Sequence, residues 1–229
     1  MLTDAVKFRK FVERRSFIGG SDARIIMGSD EAALVRLWRE KRGEAEPEDL
    51  SGNLIVQLGL VTEALNRHWY ERNTGQTVEC VQHRLRHPVL RWMGATLDGI
   101  VAGSGAVFEA KFMLPWSFSE EAAAEKYMAQ LQHNMWVTNA RLAALSVITG
   151  GGKWVEIKIS GDPLYQHPSS DRGEEILALR RERRAPSPLR RRAAAAAHRG
   201  DPHPRHERVE FVGRVRRPVP QHAGGLPRP

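Results

Sequence analysis

The chain has 229 residues, 41% of them apolar and 27% charged, enough for one domain with a real core and a tail. Its single cysteine, Cys80, excludes a disulfide framework, a cysteine zinc site and a cysteine-ligated iron–sulfur cluster, and no apolar run approaches the ~20 residues of a membrane-spanning helix. The net charge of +8 is lodged at one end: residues 180–229 hold 14 arginines, no lysine and 4 acidic residues, a surplus of +10 that leaves residues 1–179 at −2, so the total is weak ground for giving the folded part a nucleic-acid partner.

In chain order, the N-terminal MLTDAVKFRKFVERR is charged throughout and does not read as a secretory signal; a soluble, cytoplasmic protein is expected. A first helix is predicted over 3–14, with Phe8, Phe11 and Val12 on its apolar side. In RRSFIGGSDARIIMG, Gly19 and Gly20 make a tight turn, Ser21 is placed to cap, and a short helix follows. A helix over 31–41 carries Leu34, Leu37 and Trp38, and 44–52 is a polar loop. A long helix is predicted over 53–73, with Leu54, Leu58, Val61 and Leu65 at helical spacing as its apolar face, ended by NTGQ. Residues 77–87 read as one strand, 92–101 and 106–112 as a hairpin around GSG, 119–139 as a helix, and LAALSVIT and KWVEIKIS as two strands joined by three glycines. In the last strand Val155, Ile157 and Ile159 alternate with Glu156 and Lys158, so one face is wet. The order implies an α/β (α+β) core, a mixed central sheet flanked by helices.

Residues 1–166 are expected to form this domain. Residues 167–229 have no sustained apolar period, and Phe211 is the last aromatic after Tyr165. A disordered tail is therefore expected. Its arginine, proline and alanine are what GC-rich codons give when the reading frame shifts near 168–180; the competing reading is a basic arm that binds nucleic acid.

The stretch ATLDGIVAGSGAVFEAKF, residues 95–112, carries the candidate chemistry. Glu109 and Lys111 are two apart on a strand and share a side with Val107, while Phe108, Ala110 and Phe112 face the other way. Asp98 sits on the preceding strand, where a twisted hairpin can bring its carboxylate beside Glu109. Two close carboxylates repel unless a cation lies between them, and hard oxygen ligands suit Mg²⁺ or Mn²⁺. Lys111 alongside could orient or help deprotonate a water and stabilise developing negative charge. An Asp-Gly turn beside a solvated strand face is the plain alternative. Elsewhere, Glu63 can pair with Arg67 one turn on, and Gln130 shares a polar helical stripe with Lys126 and Asn134. Backbone N–H groups at the Gly-Gly-Ser turn, with arginine nearby, suit an anion or serve only as a cap. Trp136 and Trp154 read as packing, and the scattered histidines give no zinc site.

ATLDGIV followed by FEAKF resembles the metal-binding core of the PD-(D/E)xK nucleases, whose fold is restriction-endonuclease-like. RRSFIGGSDARIIMG, LGLVTEALNRHWYERNTG and KYMAQLQHNMWVT are similar to the accompanying motifs of the phage lambda exonuclease and YqaJ-type viral recombinase nucleases. These motifs stand in the family's order over about residues 10–160; the tail shows no resemblance. The resemblance implies that Asp98 and Glu109 bind metal, with the carbonyl of Ala110 a further ligand, that Lys111 is the catalytic lysine, and that Glu63 helps to hold a metal or its water. It places Gln130 along the active site, and Arg14 with Ser21 where a 5′-terminal phosphate is recognised, Arg15 being the adjacent candidate. By the same resemblance the protein is a Mg²⁺- or Mn²⁺-dependent nuclease degrading double-stranded DNA from 5′ ends in phage-type recombination, with a homotrimeric assembly and a single-strand annealing protein as partner. An endonuclease on the same core, or a non-catalytic DNA-binding protein, is the alternative.

Overall fold

The computed structural model describes residues 14–182, so the helix predicted over 3–14, but for its last residue, and the chain beyond 182 lie outside the described residues. Five helices are set by local signals. In α1 (Gly20–Met27) the Asp22 carboxylate reaches back to the Gly19 N–H at 2.9 Å. In α2 (Glu31–Arg42) the Asp30 side chain accepts from the Ala33 N–H, and Arg39, Lys41 and Arg42 lie in the last turn, where positive charge favours the helix dipole. In α3 (Leu54–Thr74) Asn53 accepts from Ile55 and Val56, and the left-handed Gly75 stops the helix. In α4 (Glu120–Thr138) Ser119 accepts from Ala122, and Asn139 closes the end at φ 56°. The last helix among the described residues is α5 (Pro163–Glu182).

The strands are β1 (Val78–Glu79), β2 (Arg84–Arg86), β3 (Gly94–Thr96), β4 (Gly99–Val101), β5 (Val107–Met113), β6 (Leu142–Thr149) and β7 (Trp154–Ser160). The main sheet runs β1-β4-β5-β6-β7, and β2 pairs with β3 in a separate ribbon. Only the β5–β6 pair is parallel within the main sheet, and a parallel pair needs a long crossover, which α4 supplies.

Both faces of β5 are covered. Val107 and Met113 join Leu131 and Met135 of α4 and Leu145 and Val147 of β6. Phe108 and Ala110 point the opposite way, against Tyr70 of α3, Val78, Val101 and Ala144; the Phe108 and Tyr70 rings are 5.0 Å apart. Each such fully buried large side chain contributes about 1.5–3 kcal/mol. A third cluster of Ile18, Ile26, Leu34, Leu37, Trp38 and Ile176 binds α1, α2 and α5 together.

The expected mixed sheet flanked by helices is what forms, and four local expectations are corrected. The strand predicted over 77–87 breaks into β1 and β2, because Cys80 and Gln82 take left-handed φ values of 52° and 56°. The strand over 92–101 likewise divides between the two sheets, with Asp98 at the division. On α3 the expected core residues Leu54, Val61 and Leu65 are exposed, at 69%, 76% and 53%, while Asn66 and Tyr70 are buried. The boundary expected at residue 166 falls inside α5, whose Ile176 is 2% exposed. Among the described residues no helix is long and apolar enough to cross a membrane.

Candidate active site

Asp98 precedes β4, and β4 pairs with β5 so that Gly99 faces Phe108. The pairing brings the Asp98 carboxylate onto the Ala110 N–H at 3.0 Å. A glycine must follow it: a Cβ on Gly99 would stand 2.2 Å from Val78 Cγ1 and 3.2 Å from the Glu79 carbonyl, closing off β1.

Glu109 is 1% exposed and points toward α4. Its Oε1 accepts from Lys111 Nζ and, at 2.5 Å, from Gln130 Nε2; its Oε2 accepts from Asn134 Nδ2 at 3.2 Å. Burial pushes the carboxyl up to about 7, against the pull of the Lys111 charge and with the repulsion of Asp98 and Glu63. Lys111 stays cationic: burial alone would lower it, but the charges of Glu109 and Asp98 carry it above the ordinary lysine value. Its ammonium also lies 5.4 Å from the Tyr127 ring centroid.

Glu63 enters from α3. Burial raises its carboxyl first and the Asp98 charge second, while a hydrogen bond from Gln82 Nε2 (2.5 Å) and the Lys111 charge lower it. Arg67, the alternative partner, acts least of these groups. A Cβ on Gly59, one turn earlier, would meet nothing within 4 Å. Asn66, one turn later, donates to the Lys111 carbonyl (3.2 Å) and the Ser146 carbonyl (2.8 Å) and accepts from Ser146 Oγ (2.6 Å). The helix is thereby fixed to the two strands beside the acidic group.

The three carboxyls and Lys111 therefore act on one another through space. Among the described residues, however, no three His, Cys, Asp or Glu side chains are gathered tightly enough to grip an ion as they lie. Asp98 is turned onto Ala110, and Glu109 onto Lys111, Gln130 and Asn134. The donor chemistry itself, desolvated carboxylates whose charge calls for a cation, fits a hard divalent metal.

The Gly-Gly-Ser turn lies against the same helix. A Cβ on Gly20 would stand 2.5 Å from Asn134 Oδ1 and 3.1 Å from Gln130 Cγ. Ser21 is not the cap, a role Asp22 takes through Gly19; it is exposed, with Oγ 3.5 Å from Arg14 Nη2. Arg15 turns instead toward Gly43 and Glu46, 4.0 Å from the latter. A cavity of ≈ 340 Å³ opens between Arg14, Phe17, Arg84, Arg86, Thr96 and Gln82, the residue that holds Glu63. Asn134 was legible only as one polar position among three on α4; it is 1% exposed, Gln130 is half-buried and Lys126 exposed, so the stripe runs from water into the site. Gln82, Asp22 and Lys41, which hold other site residues, carry no signal of that role in the sequence.

Residues 11–141 match the family model of the YqaJ-like viral recombinase domain, a span that includes every candidate site residue from Arg14 to Gln130. The Bacillus subtilis (strain 168) protein YqaJ is 32% identical over 157 residues, covering 66% of this chain and 49% of the relative, so the chain spans about half of that relative's length. Among solved structures the chain is similar to the alkaline exonuclease LHK-Exo of Laribacter hongkongensis, with a TM-score of 0.63 and 17% identity over 77% of this chain and 93% of that one. LHK-Exo is also known in complex with dAMP. A phage-related exonuclease from Haemophilus somnus 129PT is similar with a TM-score of 0.57 and 13% identity over 72% of this chain and 92% of that one. At these identities the likeness to solved structures is one of fold.

Proposed function

The chain belongs to the YqaJ-like viral recombinase family, and on that premise we propose that it is a metal-dependent DNA nuclease that removes nucleotides from the 5′ ends of double-stranded DNA. The observation that carries this reading is that Asp98, just before β4, bonds to the backbone of β5 between Glu109 and Lys111, with Glu63 within their electrostatic reach.

Mg²⁺ or Mn²⁺ would be held by Asp98, Glu109 and Glu63, with the Ala110 carbonyl as a further ligand. When bound, such an ion supplies Lewis acidity and a water activated at neutral pH. Gln130 and Asn134 fix the two oxygens of the Glu109 carboxylate from α4. Lys111 places a permanent positive charge where the phosphodiester gains negative charge, and its N–H groups can orient a water. Arg14 and Ser21 take the 5′-terminal phosphate, Arg14 by charge and Ser21 by its hydroxyl. The same reading makes the protein cytoplasmic, a homotrimer, and the partner of a single-strand annealing protein in DNA recombination.

Incubation with end-labelled linear duplex should release nucleotides only when Mg²⁺ or Mn²⁺ is added, and Lys111→Ala should lower the rate by a factor of about 100 or more while DNA binding is kept. Undiminished cleavage by Lys111→Ala would reject the assignment. A closed circular duplex separates the alternatives: it should survive, and its nicking would make the protein an endonuclease.

A further inference from the structure

We infer that Asp22 and Lys41 are positioning residues for Arg14: the carboxylate aims the guanidinium toward Ser21, and the buried ammonium keeps that carboxylate from neutralising it. The inference rests on the reading of Arg14 and Ser21 as the terminal-phosphate site.

Asp22 and Lys41 are 2% and 3% exposed. Lys41, from the last turn of α2, uses all three of its N–H bonds: to Asp22 Oδ2 at 2.6 Å, the Phe17 carbonyl at 2.6 Å and the Arg14 carbonyl at 3.0 Å. One ammonium thus pins the backbone that carries Arg14. Asp22 Oδ2 also accepts the Gly19 N–H, and Oδ1 faces Arg14 Nη2 at 3.4 Å. Arg14 is held at its root by Lys41 and at its tip by Asp22, yet its side chain is 54% exposed. An exposed arginine ordinarily surrenders rotamer freedom when it grips a ligand; this one has already surrendered part of it.

Charge explains why a lysine is needed. Asp22 alone would orient Arg14 and also cancel it. With Lys41 sharing the carboxylate, the trio keeps a net charge of +1, presented at the surface beside a serine hydroxyl, which suits a phosphate monoester. Glu40, the other acid close by, acts through space on Arg14 and Lys41 as well; its ion pair is with Arg36 at 3.9 Å, and Arg14, Arg36 and Lys41 against Asp22 and Glu40 still leave +1.

A buried ion pair replaced on both sides by neutral groups of like size often leaves stability unharmed, whereas breaking one side is damaging. The double variant Asp22→Asn/Lys41→Met therefore separates positioning from support. Duplexes with 5′-phosphate and 5′-hydroxyl ends are compared by kcat/KM. Arg14→Ala should reduce the preference for phosphate about tenfold or more, as expected for a lost charge-assisted bond. The double variant should stay folded, with a melting temperature lowered by the unpaired Phe17 and Arg14 carbonyls, and lose the preference by a similar factor, through KM. Adding Arg14→Ala to it should take away nothing further. If Arg14→Ala abolishes the preference and the folded double variant retains it, the inference is overturned. If Arg14→Ala itself keeps the preference, the phosphate reading has failed at its root. Should the double variant not fold, side-chain NMR of the parent protein decides: the Arg14 guanidinium should be ordered before DNA is added, and free rotation would refute the inference.

Discussion

Asn134 stands between two parts of the site: its amide donates to Glu109, and the Gly20 backbone lies against its carbonyl. No bulkier residue fits at position 20 without moving it. Gly20→Ala should displace Asn134 and Gln130 from Glu109, costing about 1–3 kcal/mol of stability as overpacking does and slowing cleavage at saturating DNA. Thermal melting and kcat together check this; a parent-like kcat in a normally folded Gly20→Ala protein would show that the contact does not reach the chemistry. Glu109 and Lys111 were legible as neighbours because their alternation along one strand is a short-range pattern; Asp98 was added by the hairpin reading, and Glu63 came only with the family resemblance. Asn134 and Gln82 were not, since their partners lie 25 and 19 residues away.

At the scale of elements, α3 reverses a simple reading of periodicity. Apolar residues at helical spacing show that a helix has an apolar face; they do not say which face meets the sheet. Here the docking face holds Asn66 and Tyr70, because β5 and β6 beneath offer the Lys111 and Ser146 carbonyls. Trp154 Nε1 extends the network by donating to Ser146 Oγ at 2.8 Å. Asn66→Ala should therefore destabilise by about 2–3 kcal/mol, the cost of leaving buried polar groups unpaired, while Val61→Lys should change stability by less than about 0.5 kcal/mol. Urea unfolding of both variants tests the pair, and the opposite ranking would mean that α3 docks by its apolar stripe. The NTGQ stop made the end of α3 readable, since the Gly75 cap acts within one turn, whereas Ser21, read as a cap, leaves that role to its neighbour Asp22. The divided strands were harder, because the two left-handed residues that divide the first, Cys80 and Gln82, are not glycines.

For the whole molecule, α1 and α2, together with the β3 strand bonded to Ile18, are fastened from two directions. From one, α5 brings Ile176 into the cluster of α1 and α2. It escaped the sequence reading because its apolar residues are sparse and its end runs into the arginine-rich stretch. Ending the chain after Ser160 should accordingly lower the melting temperature and expose Ile18, Ile26 and Trp38 to dye binding. From the other, His133 of α4 places Nε2 2.9 Å from the Gly94 carbonyl. Burial holds this imidazole below its usual 6.5, so the folded state resists its protonation. Its contribution to stability is whole above about pH 6.5 and declines as the pH falls below that value, by at most about 1.4 kcal/mol per pH unit. His133→Gln should flatten the stability profile between pH 6.5 and 5 in urea titrations; an unaltered slope would place the acid sensitivity elsewhere. The seating of α3 carries one more consequence. Asn66 follows Glu63 by three residues, so the helix behaves as a keyed shaft: an axial slip of one turn, about 5.4 Å, would have to shear every bond of the key at once. Since Asp98, Glu109 and Glu63 are not gathered as they lie, it is rotation of their side chains, and not travel of the helix, that this key leaves free.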